Sequence, residues 1–173
     1  YNFSGKVTKL FSEHTMNSTN SSATTELYTY TYDHALRPLI TTYSINEGTP
    51  VILSDMSAAG SYDEIGRLKT KKRHNSTDTE SFEYNIRNWT TKIISGTFIE
   101  QLYYNNLPYG ATVTPCYNGN IAYSVFGSTN SMPLKSYAYT YDNLNRLKSG
   151  AGYYFTYSQS SSSGNNETFD YDK

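Results

Sequence analysis

Asp33, Asp63 and Asp142 each follow a tyrosine and each stand four residues before an arginine, Arg37, Arg67 and Arg146. Two carboxylates held roughly 5–10 Å apart would suit glycoside hydrolysis, one as general acid and the other as base or nucleophile. Catalysis would use only two of these acids, whereas their common frame gives all three the same structural task. An aspartate after a strand accepts hydrogen bonds from the amides of the turn that follows. Cys116 is the single cysteine, set in Thr114-Pro115-Cys116-Tyr117. That setting matches no activated-cysteine signature, and a nucleophilic thiol needs a positioned base such as His74. A packed, idle thiol is the simpler expectation. His14, His34 and His74 are scattered and lack zinc spacing. The 11 glycines form no phosphate-binding pattern. No catalytic residue, metal ligand or cofactor is therefore expected.

The remaining chemistry belongs to tyrosine. Leu27-Tyr28-Thr29-Tyr30-Thr31-Tyr32 puts Tyr28, Tyr30 and Tyr32 on one strand face, and Ser136-Tyr137-Ala138-Tyr139-Thr140-Tyr141 does the same for Tyr137, Tyr139 and Tyr141. Such rows could stack on sugar rings. The competing reading packs them against neighbouring strands or a second layer, because each ring buries ~150–250 Å². Other core-forming residues are few: the chain has 19 tyrosines, one tryptophan (Trp89) and an apolar fraction of 36%.

These rows require strands, and the strands require turns. The phrase runs Tyr30-Thr31-Tyr32-Asp33-His34-Ala35-Leu36-Arg37, then Tyr62-Asp63-Glu64-Ile65-Gly66-Arg67-Leu68, then Tyr139-Thr140-Tyr141-Asp142-Asn143-Leu144-Asn145-Arg146-Leu147. Three residues past the acid stand Gly66 and Asn145, types that tolerate a left-handed backbone. That predicts a type I turn closed by a G1 bulge, with Arg-Leu opening the return strand. Tyr84-Asn85-Ile86-Arg87-Asn88-Trp89 fits the frame, with Asn85 for the acid, Asn88 for the left-handed residue and Trp89 for the arginine. In the first copy Leu36 and Pro38 break the pattern, which predicts a turn of another shape there. Tyr104-Asn105, Tyr117-Asn118 and Tyr171-Asp172 are partial echoes. Residues 15–25 and 158–166 are polar, without apolar periodicity, and read as loops.

At 173 residues the chain fits one domain. Helical spacing is not sustained for three turns anywhere, so the expected fold is all-β, antiparallel repeated hairpins forming a curved sheet. Net charge is −1, which offers no field for nucleic acid, and no stretch is long enough to insert in a membrane as a helix. Arg67, Lys69, Lys71 and Arg73 share one strand face; a solvated face is the plain reading and a polyanion site the sharper one. Asn-x-Ser/Thr triplets at Asn2, Asn17, Asn20, Asn75, Asn88 and Asn166 follow from a composition rich in those residues.

The Tyr-Asp phrase resembles the repeat of the Rhs, or YD-repeat, family: an aromatic strand, Tyr-Asp, two or three variable residues, Gly or Asn, Arg-Leu and a return strand. Residues 62–68 and 139–147 match closely. Residues 117–121, followed by 139–147, are also similar to Rhs-type proteins of Bacteroidetes. The resemblance covers 28–173 as a hairpin array; 1–27, a strand and polar loop, match loosely and join the same unit. It implies hairpins wound into a spiralling β-sheet shell, as in bacterial Rhs and wall-associated proteins, insecticidal toxin-complex subunits and animal teneurins. In bacterial members the shell often encloses a C-terminal toxin. It also implies a secreted or cell-surface bacterial location, with the remainder of the same repeat polypeptide as partner. This chain looks like an excised segment, too short to close a shell. It lacks the Asp-Pro-containing signature at which toxin-bearing relatives cut themselves, so neither self-cleavage nor toxin activity carries over. The expected function is a non-enzymatic scaffold, and the rival is a carbohydrate- or receptor-binding surface on the tyrosine faces. Open strand edges predict self-association.

Overall fold

The computed structural model describes residues 1–15, 23–73, 75, 77–130, 134–156 and 159–168, with 155–168 described as backbone. The protein is all-β: the described residues contain twelve strands and no helix. They fall into two compact units, Tyr1–Glu80 and Ser81–Lys173.

The first unit contains β1 (Lys9–His14), β2 (Thr24–Tyr32), β3 (Pro38–Ile45), β4 (Val51–Asp55) and β5 (Thr70–Arg73). Each pairs antiparallel with the next, in registers that oppose Phe11 to Leu27, Tyr28 to Tyr43, Thr41 to Ser54 and Asp55 to Lys72. The boundary between units falls within β6 (Asp78–Tyr84). The second unit continues with β7 (Thr90–Ser95), β8 (Phe98–Tyr103), β9 (Tyr123–Ser128), β10 (Leu134–Tyr141), β11 (Leu147–Thr156) and β12 (Gln159–Thr168). Here too each strand from β7 onward pairs antiparallel with its successor. Tyrosine-threonine alternation thus becomes strand, as its two-residue period and β-propensity require.

The second unit has a defined core. Ile99, Tyr123, Val125 and Leu134 are buried together on one sheet face, and Leu107, Ala111 and Val113 of the 104–122 connection pack over them. Val125 is 1% exposed, a burial contributing about 1.5–3 kcal/mol. Ser136, fully buried among these residues, donates to the Tyr153 carbonyl at 3.3 Å and lies 2.7 Å from the Tyr123 hydroxyl, so its polar atom is satisfied. The first unit has no such cluster among its described residues; Met56 is its buried apolar side chain, and most of its strand residues are half-buried.

The loop expected over 158–166 is corrected. From Gln159 onward that run is β12, paired with β11 from Thr156↔Gln159 to Ser149↔Thr168, with one irregularity. Backbone N–H and C=O groups pair across an open edge whatever side chains they carry. A run of Ser and Asn has no apolar face to place, so alternation could not report it. Of the other polar run, Thr24 and Thr25 already belong to β2, and 16–22 lie outside the described residues.

Candidate functional site

The Tyr-Asp phrase builds one turn, repeated with the same hydrogen bonds. In the Asp63 copy the Gly66 amide donates to the Asp63 carbonyl at 3.0 Å, and the Asp63 amide donates to the Arg67 carbonyl at 2.8 Å. Gly66 has φ +88°. This is the type I turn with a G1 bulge. Asp63 Oδ1 accepts the amides of Ile65 at 3.1 Å and Arg67 at 2.8 Å, and Oδ2 accepts Arg67 Nε at 2.6 Å. The Asp142 copy repeats the set with Leu144, Arg146 and the left-handed Asn145 (φ 62°). In the Asn85 copy the amide oxygen accepts from Arg87 at 2.9 Å and Trp89 at 3.0 Å, and Asn88 is left-handed at φ 64°. Arginine therefore does more than open a return strand: it closes an ion pair with the acid four residues back.

The first copy does not take another shape. Leu36 adopts φ 60°, its amide donates to the Asp33 carbonyl at 3.0 Å, and Ala35, Arg37 and the Arg37 guanidinium bond the Asp33 carboxylate as in the other copies. These bonds outweigh the penalty of about 1–2 kcal/mol for an L-residue in that region. Pro38 is the first residue of β3, opposite Tyr32, a position where a missing N–H is tolerated.

A further copy sits where no Tyr-Asp appears. The Asn2 amide donates to the Lys6 carbonyl at 2.8 Å and the Gly5 amide to the Asn2 carbonyl at 3.0 Å; Gly5 has φ +77°. Asn2 Oδ1 accepts the Ser4 and Lys6 amides. Tyr1-Asn2-Phe3-Ser4-Gly5-Lys6-Val7 is the phrase with Asn for Asp and Lys for Arg, and Tyr-Asn with glycine three places on was its readable signal.

Tyrosines tie successive turns together. The Tyr32 hydroxyl donates to the Val7 carbonyl at 2.8 Å, Tyr62 to Pro38 at 2.6 Å and Tyr104 to Thr90 at 2.7 Å. Each acceptor lies five residues after the Asn or Asp of the preceding turn. Tyr141 donates to Ile121 at 2.8 Å. Burial pushes the Tyr62, Tyr104 and Tyr141 phenols above their ordinary range. The Arg37 guanidinium also lies 4.6 Å from the Tyr62 ring centroid. In the second unit Trp89, in the arginine position, packs on Tyr104 at 4.9 Å.

The carboxyls answer to these partners. Partial desolvation pushes Asp33 and Asp63 upward, but the arginine amide, the guanidinium and the amide two residues on outweigh it and hold both below the usual carboxylate range. For Asp142 the Arg146 amide bond is the leading cause, and the net direction is again downward. Such carboxyls stay ionised and occupied, the opposite of a raised general acid.

The two tyrosine rows are half-buried throughout. Tyr28 packs on Tyr43 at 4.8 Å. Register places Val125 opposite Ser136, so Tyr137 and Tyr139 occupy the face away from the core. They lie opposite Gly152 and Gly150 of β11, and a Cβ at Gly150 would meet both rings at 3.6 Å. Phe126, Tyr137 and Tyr139 form a ladder with 6.1 Å between ring centroids, interplanar angles being 1° and 15°.

Other candidates are engaged or unsupported. Lys71 and Arg73 both pair with buried Glu80, at 2.8 and 2.9 Å, and Arg67 pairs with Asp63, so the basic run is largely neutralised. Burial pushes the Cys116 thiol up, and its sulfur lies 3.8 Å from the Thr114 carbonyl. His14 lies 3.8 Å from Glu26 and His34 is exposed, while His74 and the Tyr171-Asp172 echo lie outside the described residues. A hollow of about 340 Å³ in the second unit holds Glu83 with Lys92 at 3.4 Å, beside Gln101, Asn105 and Asn106. No cluster of His, Cys, Asp or Glu among the described residues could hold a metal. Compared with known protein families and with curated proteins, the chain matches no family model and no curated sequence.

Proposed function

We propose that this chain is a non-enzymatic wall segment of a secreted or cell-surface bacterial protein of the Rhs, or YD-repeat, kind, with the rest of the same polypeptide as its main partner. The supporting observation is the turn built alike at Asn2, Asp33, Asp63, Asn85 and Asp142. Each acid or amide spends its acceptor on its own turn, and the tyrosine hydroxyls at Tyr32, Tyr62 and Tyr104 tie one turn to the next. A device reissued along a chain suits a repeat wall, because each repeat needs its neighbour to bury the shared surface. Electron cryomicroscopy of the full open-reading-frame product tests this. The expected map shows these turns stacked in one continuous spiralling wall; a separate lobe, or turnover lost on Cys116→Ala or Asp63→Asn, would overturn it.

The second reading, a carbohydrate-binding surface, draws on the half-buried ladder of Phe126, Tyr137 and Tyr139. Near-parallel rings on a strand face can stack on sugar rings. A glycan-array signal abolished by Tyr137→Ala and Tyr139→Ala, with the circular dichroism spectrum unchanged, is its expected result; an array with no signal would remove it.

A further inference from the structure

We infer that the hollow of the second unit, set over β7 and β8 where the 104–122 connection begins, is a binding site for a small neutral sugar. This rests neither on the wall reading nor on the ladder of Phe126, Tyr137 and Tyr139, which occupies the other face of the sheet. Lys92 stands opposite Gln101 and Ile94 opposite Ile99, so Lys92 and Gln101 share the face that carries the core. Tyr103, two residues on, packs against that core and donates its hydroxyl to Gln101 Oε1 at 3.2 Å. Asn105 and Asn106 line the hollow as the chain leaves β8, and Glu83 reaches it from β6. A polar cup of about 340 Å³ thus adjoins the core, with Tyr103 common to both.

The chemistry of the lining selects the occupant. Glu83 and Lys92 lie 3.4 Å apart and offset one another's charge, which leaves little field for a phosphate or carboxylate ligand. Among the described residues the side-chain amides of Asn105 and Asn106 are bonded to no protein group. An apolar ligand would strip water from these amides and return no hydrogen bond. A carboxamide offers both an acceptor and donors, and the vicinal hydroxyls of a sugar, each donor and acceptor, answer both. The C–H face of a pyranose also packs on an aromatic ring, which Tyr103 supplies. A peptide strand finds less to hold, because β8 is already paired on both sides, with β7 and with β9, and its backbone has no ladder bonds left to give. The volume, at the lower end of the ~300–1,000 Å³ of small-molecule pockets, suits a monosaccharide or disaccharide.

Chemical-shift titration of the 173-residue chain with D-glucose, D-galactose, D-mannose and N-acetyl-D-glucosamine, followed by heteronuclear NMR, tests this. At least one sugar is expected to shift the side-chain amide signals of Gln101, Asn105 and Asn106, with a Kd on the order of 1 mM. Gln101→Leu and Asn106→Ala each remove one amide and are expected to weaken binding about fivefold. Tyr137→Ala, on the other face, is expected to leave the Kd unchanged. Asn106 is exposed, so its replacement spares the fold even where Gln101→Leu disturbs it. No shift with any of these sugars, shifts confined to the ladder, or an Asn106→Ala chain that binds as tightly as wild type would each overturn the inference. So would N-acetylglycinamide, a mimic of peptide backbone, if it shifted the same amides as strongly as the best sugar. None of these outcomes bears on the wall reading.

Discussion

The junction after the Asp33 turn, in the first unit, is made with charge, and the junction after the Asn85 turn, in the second, with an aromatic ring. At Asp33 the guanidinium of Arg37 holds its own carboxylate at 2.6 Å, then lies over Tyr62 and against Gly66 of the next turn. At Asn85 there is no acid, and Trp89 fills the arginine position, its ring tilted against Tyr104 with Gly119 against its indole. Both groups are flat, and both occupy the space between the next tyrosine and a glycine. At these two junctions a planar side chain recurs where the cation does not, while the Asn2 copy carries Lys6 at the same position. Charge can be dropped where the ring supplies enough buried area, and an asparagine oxygen then suffices for the turn amides.

The difference can be broken at Trp89. Trp89→Ala removes the packing on Tyr104 and is expected to destabilise the chain by about 2–3 kcal/mol in urea denaturation. Trp89→Arg alone should cost about as much, since Asn85 offers no carboxylate. Adding Asn85→Asp transplants the first unit's solution and should recover about 1 kcal/mol. No recovery would mean that the two junctions differ in backbone as well as in side chain.

The hydroxyl tether is what both junctions share. Tyr104→Phe leaves the ring on Trp89 but strips the bond to the Thr90 carbonyl, and Tyr62→Phe does the same at Pro38. Each should cost about 1 kcal/mol. Similar losses would sharpen the view that the tether is independent of the planar group.

How far the fold could be read depended on whether one residue type carried the signal. Strands β2 and β10 were legible because tyrosine alternation marks both period and propensity. The Asp63 and Asp142 turns were legible because acid and left-handed residue both had characteristic types. The Asp33 turn was misread because Leu36 argues against φ > 0; side-chain and amide bonds made by Asp33 overrode that preference, which no reading of position 36 alone contains. The Asn2 copy hid behind two conservative swaps. The Asp-Arg pair and the tyrosine tethers join residues across a bulge or from separate turns, and spacing gives no such geometry. Alternation put Tyr137 and Tyr139 on one face but could not say which face the 104–122 connection covers; it covers the opposite one, a choice set by where Leu107, Ala111 and Val113 fold back.

Leu36 converts that misreading into a measurement. It holds φ 60° at 37% exposure, so replacing it by glycine removes backbone strain and little buried area. Glycine also raises the entropy of the unfolded chain, so the net gain for Leu36→Gly is expected near 0.5–1 kcal/mol. Asn88→Gly should change stability by a few tenths only, because asparagine already tolerates φ 64°. Equal responses would show that the two turns are not strained differently.

The smallest effect is a pH slope that should belong to the acid-bearing turns. Asp33, Asp63 and Asp142 are held below the usual range in the folded chain. A lowered folded pKa means that the unfolded chain binds the proton first as pH falls. The contribution of these turns is therefore whole above the ordinary carboxylate range, near pH 4, and is lost as pH drops through it toward the folded values. Asn85 has no such proton. Asp63→Asn keeps an oxygen for the Ile65 and Arg67 amides while discarding the charge, as Asn85 does, and should flatten the loss of stability between about pH 4.5 and 2.5. Urea titrations of wild-type and D63N chains across that window measure the slope. An unchanged slope would mean that the Arg67 pair is too well solvated to matter, and that the charged and aromatic junctions differ only in the area they bury.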